Sequence, residues 1–305
     1  MTTRLLAIDG GGIRGVYAAH VLGRMQEAFS TESDLFVFHD QFDLIAGTST
    51  GSIIAAALAF GKPISDVKEL YLKHGAQIFT PRGGTFGGML APKYSSDVLR
   101  GLLSDVFEDA RLGDAKTRLV IPATDIANGG VHVFKSGYDK SFVRDNNVRV
   151  ADAVLASCSA PLYFEPAMVG EYQLCDGGLW ANNPSLVALT EAMTRLGVTR
   201  ETIRLVSVGT GIGHKYYSIK KSPWSWGFLL GWKPKKFIEM LLNLQSANAG
   251  NITKLILGDR QHVSVNFESN APLSLDDPRI MKDLMAWAGR DFTHNALKIK
   301  ALMEE

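Results

Sequence analysis

Short apolar runs that end in glycine turns alternate with longer stretches of helical spacing along most of this chain. Arg4-Leu-Leu-Ala-Ile-Asp9 reads as a buried strand, followed by Gly10-Gly11-Gly12. Val16 to Phe29 repeats its apolar positions at helical intervals, with Val16, Ala19, Leu22 and Phe29 roughly on one face. Phe42 to Ala46 is a second apolar strand, Gly47 to Gly51 a sharp turn, and Ser52 to Phe60 an alanine-rich buried helix. The spacing predicts helices over 65–79 and 96–107, with a glycine-rich loop at 81–88 between them. Residues 118–126 and 131–135 read as strands of a hairpin around Asn128-Gly129-Gly130. A short helix follows at 150–157, and a strand at 172–175 ends in Asp176-Gly177-Gly178. Pro184 to Leu196 has proline in its first turn and Gly197 past its end, as helices do. A strand at 203–208, a long helix at 237–257, a strand at 262–267 and two C-terminal helices complete the reading. Strands that alternate with helices predict an α/β layered fold with a largely parallel sheet. No linker divides the pattern, so residues 1–305 read as one domain.

Composition narrows the function classes. Hydrophobic residues make up 46% and charged residues 21%, which excludes a disordered or fibrous chain. The net charge of +1 gives no overall field to attract a nucleic acid polymer. Two cysteines, Cys158 and Cys175, do not make a disulfide framework and suit a reducing compartment. The apolar stretch at 53–60 is far short of the roughly 20 residues of a spanning helix, and the N-terminus lacks a leader pattern. The expectation is a soluble, cytoplasmic chain whose membrane contact is peripheral, at the inner face.

Two glycine turns carry candidate chemistry. Gly47-Thr48-Ser49-Thr50-Gly51 fits Gly-x-Ser-x-Gly between a strand and a helix, the context of a nucleophile elbow. There the serine would stand at a helix N-terminus, whose partial positive charge favours an oxyanion. The plain alternative is an ordinary strand-to-helix turn. Gly10-Gly11-Gly12-Ile13-Arg14-Gly15 fits Gly-x-Gly-x-x-Gly, but Glu32 and Asp34 precede the second strand instead of ending it, a poor match to a dinucleotide fingerprint. In a parallel sheet both turns lie at one carboxyl edge, so the amides of Gly11 and Gly12 are candidates for an oxyanion hole around Ser49. Arg14 would support that loop or meet an anionic head group. A partner for Ser49 stays open between a triad through His214 or His262 and a direct pairing with Asp176, whose two following glycines allow a close approach.

Taken together, Asp9-Gly-Gly-Gly-Ile-Arg-Gly15, Gly47-Thr-Ser-Thr-Gly51 and Asp176-Gly-Gly178 resemble the patatin-like phospholipase family. Phe42-Asp-Leu-Ile-Ala-Gly47, Ala156-Ser-Cys-Ser-Ala-Pro161 and Phe164-Glu-Pro166 add to the match, which covers about residues 4–210. The resemblance implies a three-layer α/β/α fold and release of fatty acid from membrane phospholipid by a Ser–Asp dyad without histidine. It casts Ser49 as nucleophile and Asp176 as base, with Gly11, Gly12 and Arg14 at the oxyanion and Gly10, Gly15, Gly47, Gly51, Gly177 and Gly178 as motif glycines. It implies no metal and no cofactor. The competing classes are a nucleotide-binding sensor built on the glycine loop, and an acyltransferase. No lysine follows the glycines as a P-loop requires.

The resemblance does not reach the segment 212–257. Trp224, Trp226 and Trp232 lie there among Lys220, Lys221, Lys233, Lys235 and Lys236. Tryptophan favours the bilayer interface and lysine attracts anionic lipid, so a lid or membrane-docking loop is expected, against a packed loop or a homo-oligomer contact. The chain also resembles some bacterial patatin-like proteins of this compact size that serve as antiphage effectors switched on by cyclic nucleotides. In such a protein the lysines and tryptophans of this segment would bind the phosphate and stack the base of a cyclic-nucleotide activator.

Overall fold

The computed structural model describes residues 2–214, 216–218 and 226–305. In chain order the strands and helices are β1 (Thr3–Ile8), α1 (Gly15–Phe29), α2 (Phe38–Gln41), β2 (Leu44–Gly47), α3 (Thr50–Ala59), α4 (Ile64–Ile78) and α5 (Ser96–Phe107). Next come β3 (Arg118–Asp125), β4 (Gly130–Lys135), α6 (Val150–Cys158), β5 (Ala167–Val169), β6 (Tyr172–Asp176), α7 (Gly178–Ala181) and α8 (Ser185–Arg195). The last third holds β7 (Ile203–Val208), β8 (Ile212–Gly213), α9 (Pro234–Leu257), β9 (His262–Val265), β10 (Glu268–Ser269) and α10 (Met281–Glu304).

The main sheet runs β5-β6-β3-β2-β1-β7-β9, with β4 on β3 as well. Strands β2, β1, β7 and β9 are parallel to their neighbours, as is the β2–β3 pair. Only the β4, β5 and β6 pairings are antiparallel. The continuous apolar run of β1 explains its central place: Leu6 and Ile8 enter one core, Leu5 and Ala7 the other. A strand that alternates between two cores is buried on both faces. Helices α1, α3, α6 and α10 pack on the first face, and α8 with the end of α9 on the second, giving three α/β/α layers.

One detail of register positions the site. β2 pairs with β3 as far as Ala46 opposite Val120, while β6 pairs with it from Asp176 opposite Ala123. Because β4 holds the other edge of β3 over residues 120–125, β2 and β6 share a single edge. They run in opposite directions and end head to head. Pro122 sits in the gap between them, where its missing N–H breaks no ladder bond. The turn after β2 and the last residue of β6 are thereby brought face to face.

Two expectations are corrected. The C-terminus forms one 24-residue helix, α10, preceded by a single turn at Pro278–Ile280. Nothing inside it breaks the helix, and Gly289 only weakens its local propensity. The strand expected at 262–267 stops at Val265, where Asn266 turns its side chain onto the amides of Gly211 and Phe267.

Candidate active site

Ser49 ends the turn after β2 with φ 52° and ψ −131°, a backbone region strained for a residue with a side chain. The turn is held in that shape from several sides. The amide of Ser49 donates to Ser157 Oγ at 2.9 Å, and Ser157 Oγ donates to the Pro122 carbonyl at 2.6 Å. Thr48 Oγ1 donates to the Ala181 carbonyl at 2.6 Å, and Ser52 Oγ to that of Ser49 at 2.6 Å. Gly51 is required by close approach, since a Cβ there would strike the carbonyls of Ile8, the last residue of β1, and of Asp9 after it. The hydroxyl then stands at the N-terminus of α3.

Opposite it, Asp176 accepts from Ser49 Oγ at 2.7 Å through Oδ2 and from the Gly178 amide at 2.6 Å through Oδ1. Burial pushes this carboxyl up to about 6, although both hydrogen bonds favour the charged form. A carboxylate with that affinity is a far better proton acceptor near neutral pH than an ordinary aspartate. The thiol of Cys158 lies in the same wall and is pushed up by burial and by Asp176, so it stays protonated.

The glycine loop meets the pair from β1. The Gly10 amide donates to the Asn182 carbonyl and that of Ile13 to the Leu275 carbonyl. Among the described residues, no hydrogen bond uses the amides of Gly11 or Gly12, and both line the same cavity as Ser49. Gly12 adopts φ +59°, and a Cβ on it would run into the Leu275 carbonyl. Arg14 is buried, with Nε donating to the Gly11 carbonyl and a terminal nitrogen to the Gly211 carbonyl, each at 3.2 Å. Its donors brace the loop, the first of the two roles weighed for it.

The cavity is a narrow apolar slot. Ile53, Leu70, Ile78, Phe79, Phe164 and Leu242 supply much of its wall, with Ser49 and Asp176 at one end. No histidine lines it. His262 is buried in β9 beside Ser207 Oγ at 2.8 Å, and His214 is exposed beside Glu268. Neither touches Ser49 or Asp176, so the geometry brings together the direct pair and not the triad.

A family model described as patatin-like phospholipase matches residues 6–189. The chain belongs to that family. It is 34% identical over 213 residues to a cGAMP-activated phospholipase of Pseudomonas aeruginosa (strain BWHPSA011 / Pa011), covering 68% of this chain and 62% of that protein. It is 33% identical over 220 residues to a cUMP-AMP-activated phospholipase of Escherichia coli, covering 68% and 65%. The chain thus spans somewhat under two thirds of the length of these curated relatives. Among solved structures it is similar to VipD from Legionella pneumophila, with a TM-score of 0.52 at 12% identity over 99% of this chain and 67% of that one. That likeness concerns the fold.

The patatin-like motifs all converge on the slot. Gly47, Gly51, Gly177 and Gly178 sit where backbone or side-chain atoms would block a Cβ, as does Gly10, and Gly15 is crowded by Tyr71. Sequence reasoning gave Ser157 and Asn182 no role. Ser157 fixes the elbow amide. Asn182 donates to the Gly10 carbonyl at 3.3 Å and to Ser246 Oγ of α9 at 2.7 Å, tying the glycine loop to α9. The only signal for Ser157 was its place in the patatin-like segment 156–161.

The tryptophans stand differently from expectation. Trp224 lies outside the described residues. Trp226 and Trp232 are half-buried, 5.2 Å apart, and pack with Tyr217 and, for Trp232, Phe237. Between Trp226 and Trp232 the exposed apolar residues are Phe228, Leu229 and Leu230. No described helix is long and apolar enough to cross a membrane.

Proposed function

We propose that this chain is a serine acyl-ester hydrolase that releases fatty acid from membrane phospholipid. The observation that carries the reading is the 2.7 Å bond from Ser49 Oγ to a buried carboxylate at the end of an apolar slot. In the proposed cycle Asp176 takes the hydroxyl proton as Ser49 Oγ attacks the ester carbonyl. The amides of Gly11 and Gly12 receive the negative charge on the carbonyl oxygen. The proton passes to the departing alcohol. Water, activated by Asp176, then cleaves the acyl-serine and returns the free acid. The slot accommodates the acyl chain, and no metal or cofactor enters. The same reading treats residues 1–305 as one patatin-like domain, supported by a core that runs from Leu6 to Leu302.

Incubation with phospholipid vesicles and mass spectrometry of the products tests this. Free fatty acid and lysolipid are expected, lost in Ser49→Ala. Transfer of the acyl group to an added alcohol in preference to water would favour an acyltransferase. No product, with Ser49 unlabelled by a fluorophosphonate probe, would leave the glycine loop as a binding module.

We further propose activation by a cyclic di- or trinucleotide at the segment 212–257 and a role in antiphage defence; the names of the relatives, activated by cGAMP and by cUMP-AMP, support activation by a cyclic dinucleotide. Protein that is nearly silent on vesicles and switched on by such a nucleotide is the expected result. Full activity without a ligand would remove it.

A further inference from the structure

Two short segments turn large apolar side chains into solvent. In the glycine-rich loop after α4, Phe86, Met89 and Leu90 are exposed, Leu90 to 74%. In the turn before α9, Phe228, Leu229 and Leu230 are exposed, Leu230 to 85%. Scattered exposed leucines need no account, but six such residues on two loop tips form an unusual apolar surface.

The tips share an anchor. Asp276 accepts from Lys93 Nζ at 2.6 Å and Tyr94 OH at 2.7 Å, just after the first tip. It also accepts from Lys235 Nζ at 2.8 Å, just after the second. Asp276 directly follows Leu275, a residue of the slot wall, and Lys235 lies over the ring of Tyr163, another. Both tips also touch the neighbourhood of Tyr163: Gly88 of the first lies against Leu162, whose carbonyl accepts from the Lys93 amide, and Phe228 of the second packs on Phe237, two residues before Glu239, which accepts from Tyr163 OH.

The segments that carry the tips are basic in sequence, although Lys73 pairs with Glu69, Arg82 with Glu165, and Lys93 and Lys235 with Asp276. From Ile212 to Lys236 the sequence has six lysines and no acidic residue, and from Leu70 to Ser96 it has Lys73, Arg82 and Lys93 and none either. Among the described residues, Lys233 and Lys236 have no carboxylate partner. Lys233 and Lys236 thus follow the exposed residues of the second tip within six positions of Leu230 and keep their charge free for an anionic surface.

We propose that Phe86, Met89 and Leu90 together with Phe228, Leu229 and Leu230 form a bilayer-docking face that inserts into anionic phospholipid and sets the mouth of the slot against the membrane. Apolar tips bury in the head-group and acyl boundary, while the lysines stay in the head-group layer. Trp226 and Trp232 serve as the packed base of the second tip. The proposal rests on the reading of a membrane lipid substrate, and the test separates the two.

Ser49→Ala protein is floated with vesicles of phosphatidylglycerol and phosphatidylethanolamine, and with phosphatidylcholine alone. Because this variant needs no hydrolysis to bind, a failure here leaves the catalytic reading intact, and a catalytic failure leaves binding readable. Binding to the anionic vesicles is expected, at least about ten-fold stronger than to phosphatidylcholine and weakened by salt. Phe228→Asp with Leu230→Asp, and separately Phe86→Asp with Leu90→Asp, are each expected to lower it about ten-fold or more. Melting temperatures should stay near that of the parent for the Phe86/Leu90 pair, whose side chains are exposed; because Phe228 packs on Phe237, Leu229→Asp with Leu230→Asp serves as the second variant of that tip, with the same loss of binding expected. Absence of binding, or full binding by both pairs, overturns the proposal. So does a parent dimer that these substitutions dissociate while vesicle binding persists, which would make the face a contact between copies.

Discussion

Asp176→Asn separates the chemical role of the carboxylate from its thermodynamic cost. Folding moves this group from 3.8 to about 6. At about 1.36 kcal/mol per pKa unit, the ionised form in the folded protein is disfavoured by about 3 kcal/mol above pH 7. The sign follows from proton counts. Between the two pKa values the folded state holds more protons than the unfolded state, so stability falls as pH rises through this window. The cost is absent below about pH 3, near half its full size at pH 5, and complete above about pH 7. Asparagine removes the charge and keeps both contacts, its oxygen accepting from Gly178 and its amide donating to Ser49 Oγ. The variant is therefore expected to be more stable than the parent by about 3 kcal/mol at pH 8, or about 5 °C for a chain of this length. Near pH 5 the gain should halve. Hydrolysis of a short soluble ester should fall to background, because the amide cannot take the serine proton. In the parent, kcat/KM should rise with a midpoint near pH 6. Thermal unfolding of both proteins at pH 5 and pH 8 reads the effect, and other titrating groups cancel in the difference. A variant less stable at pH 8, or a gain of equal size at both pH values, would refute the argument that Asp176 is a desolvated carboxylate in the folded state.

The remaining predictions concern the frame around this pair. Ser49→Gly and Ser49→Ala should both abolish activity, but the glycine variant should be more stable by about 1–3 kcal/mol, since it relieves the strained backbone at φ 52°; equal melting temperatures would argue against strain. Gly12→Ala should cut kcat about 100- to 1000-fold, because the Leu275 carbonyl forces the new methyl group and its amide out of place. Ser157→Ala leaves the Ser49 amide without its acceptor and should cost about 1–3 kcal/mol in denaturant unfolding, with a loss in kcat larger than any change in KM. Burial pushes His262 down to about 4, so the unfolded chain takes a proton there that the folded protein refuses, and stability should fall as pH drops from 6.5 towards 4. His262→Gln should flatten that slope and leave hydrolysis at pH 8 in place; loss of activity would restore the case for a histidine.

Local patterns determined much of this molecule. The apolar run of β1 required burial on both faces, and it lies between two cores. The bounds of α5 at Ser96 and Phe107 were readable from periodicity alone, and most other helices lie within one or two residues of their expected ends. Glycine spacing marked the turns at Ser49 and Asp176, because a backbone that passes within contact distance of another strand admits no side chain. Only the tertiary structure decided how those turns meet. Asp176 is 127 residues from Ser49, and what joins them is the register of β2 and β6, end to end on one edge of β3. Strand order is a matter of long-range pairing, which no local period encodes. The same holds for Ser157, whose role is set by the gap at Pro122. Which aromatic residues face water also lay beyond the sequence. Composition drew attention to the tryptophans, yet packing against Tyr217 and Phe237 turned two of them inward and left Phe228 to Leu230 outside. Burial is a property of the partners a side chain finds, and those partners arrive only with the fold.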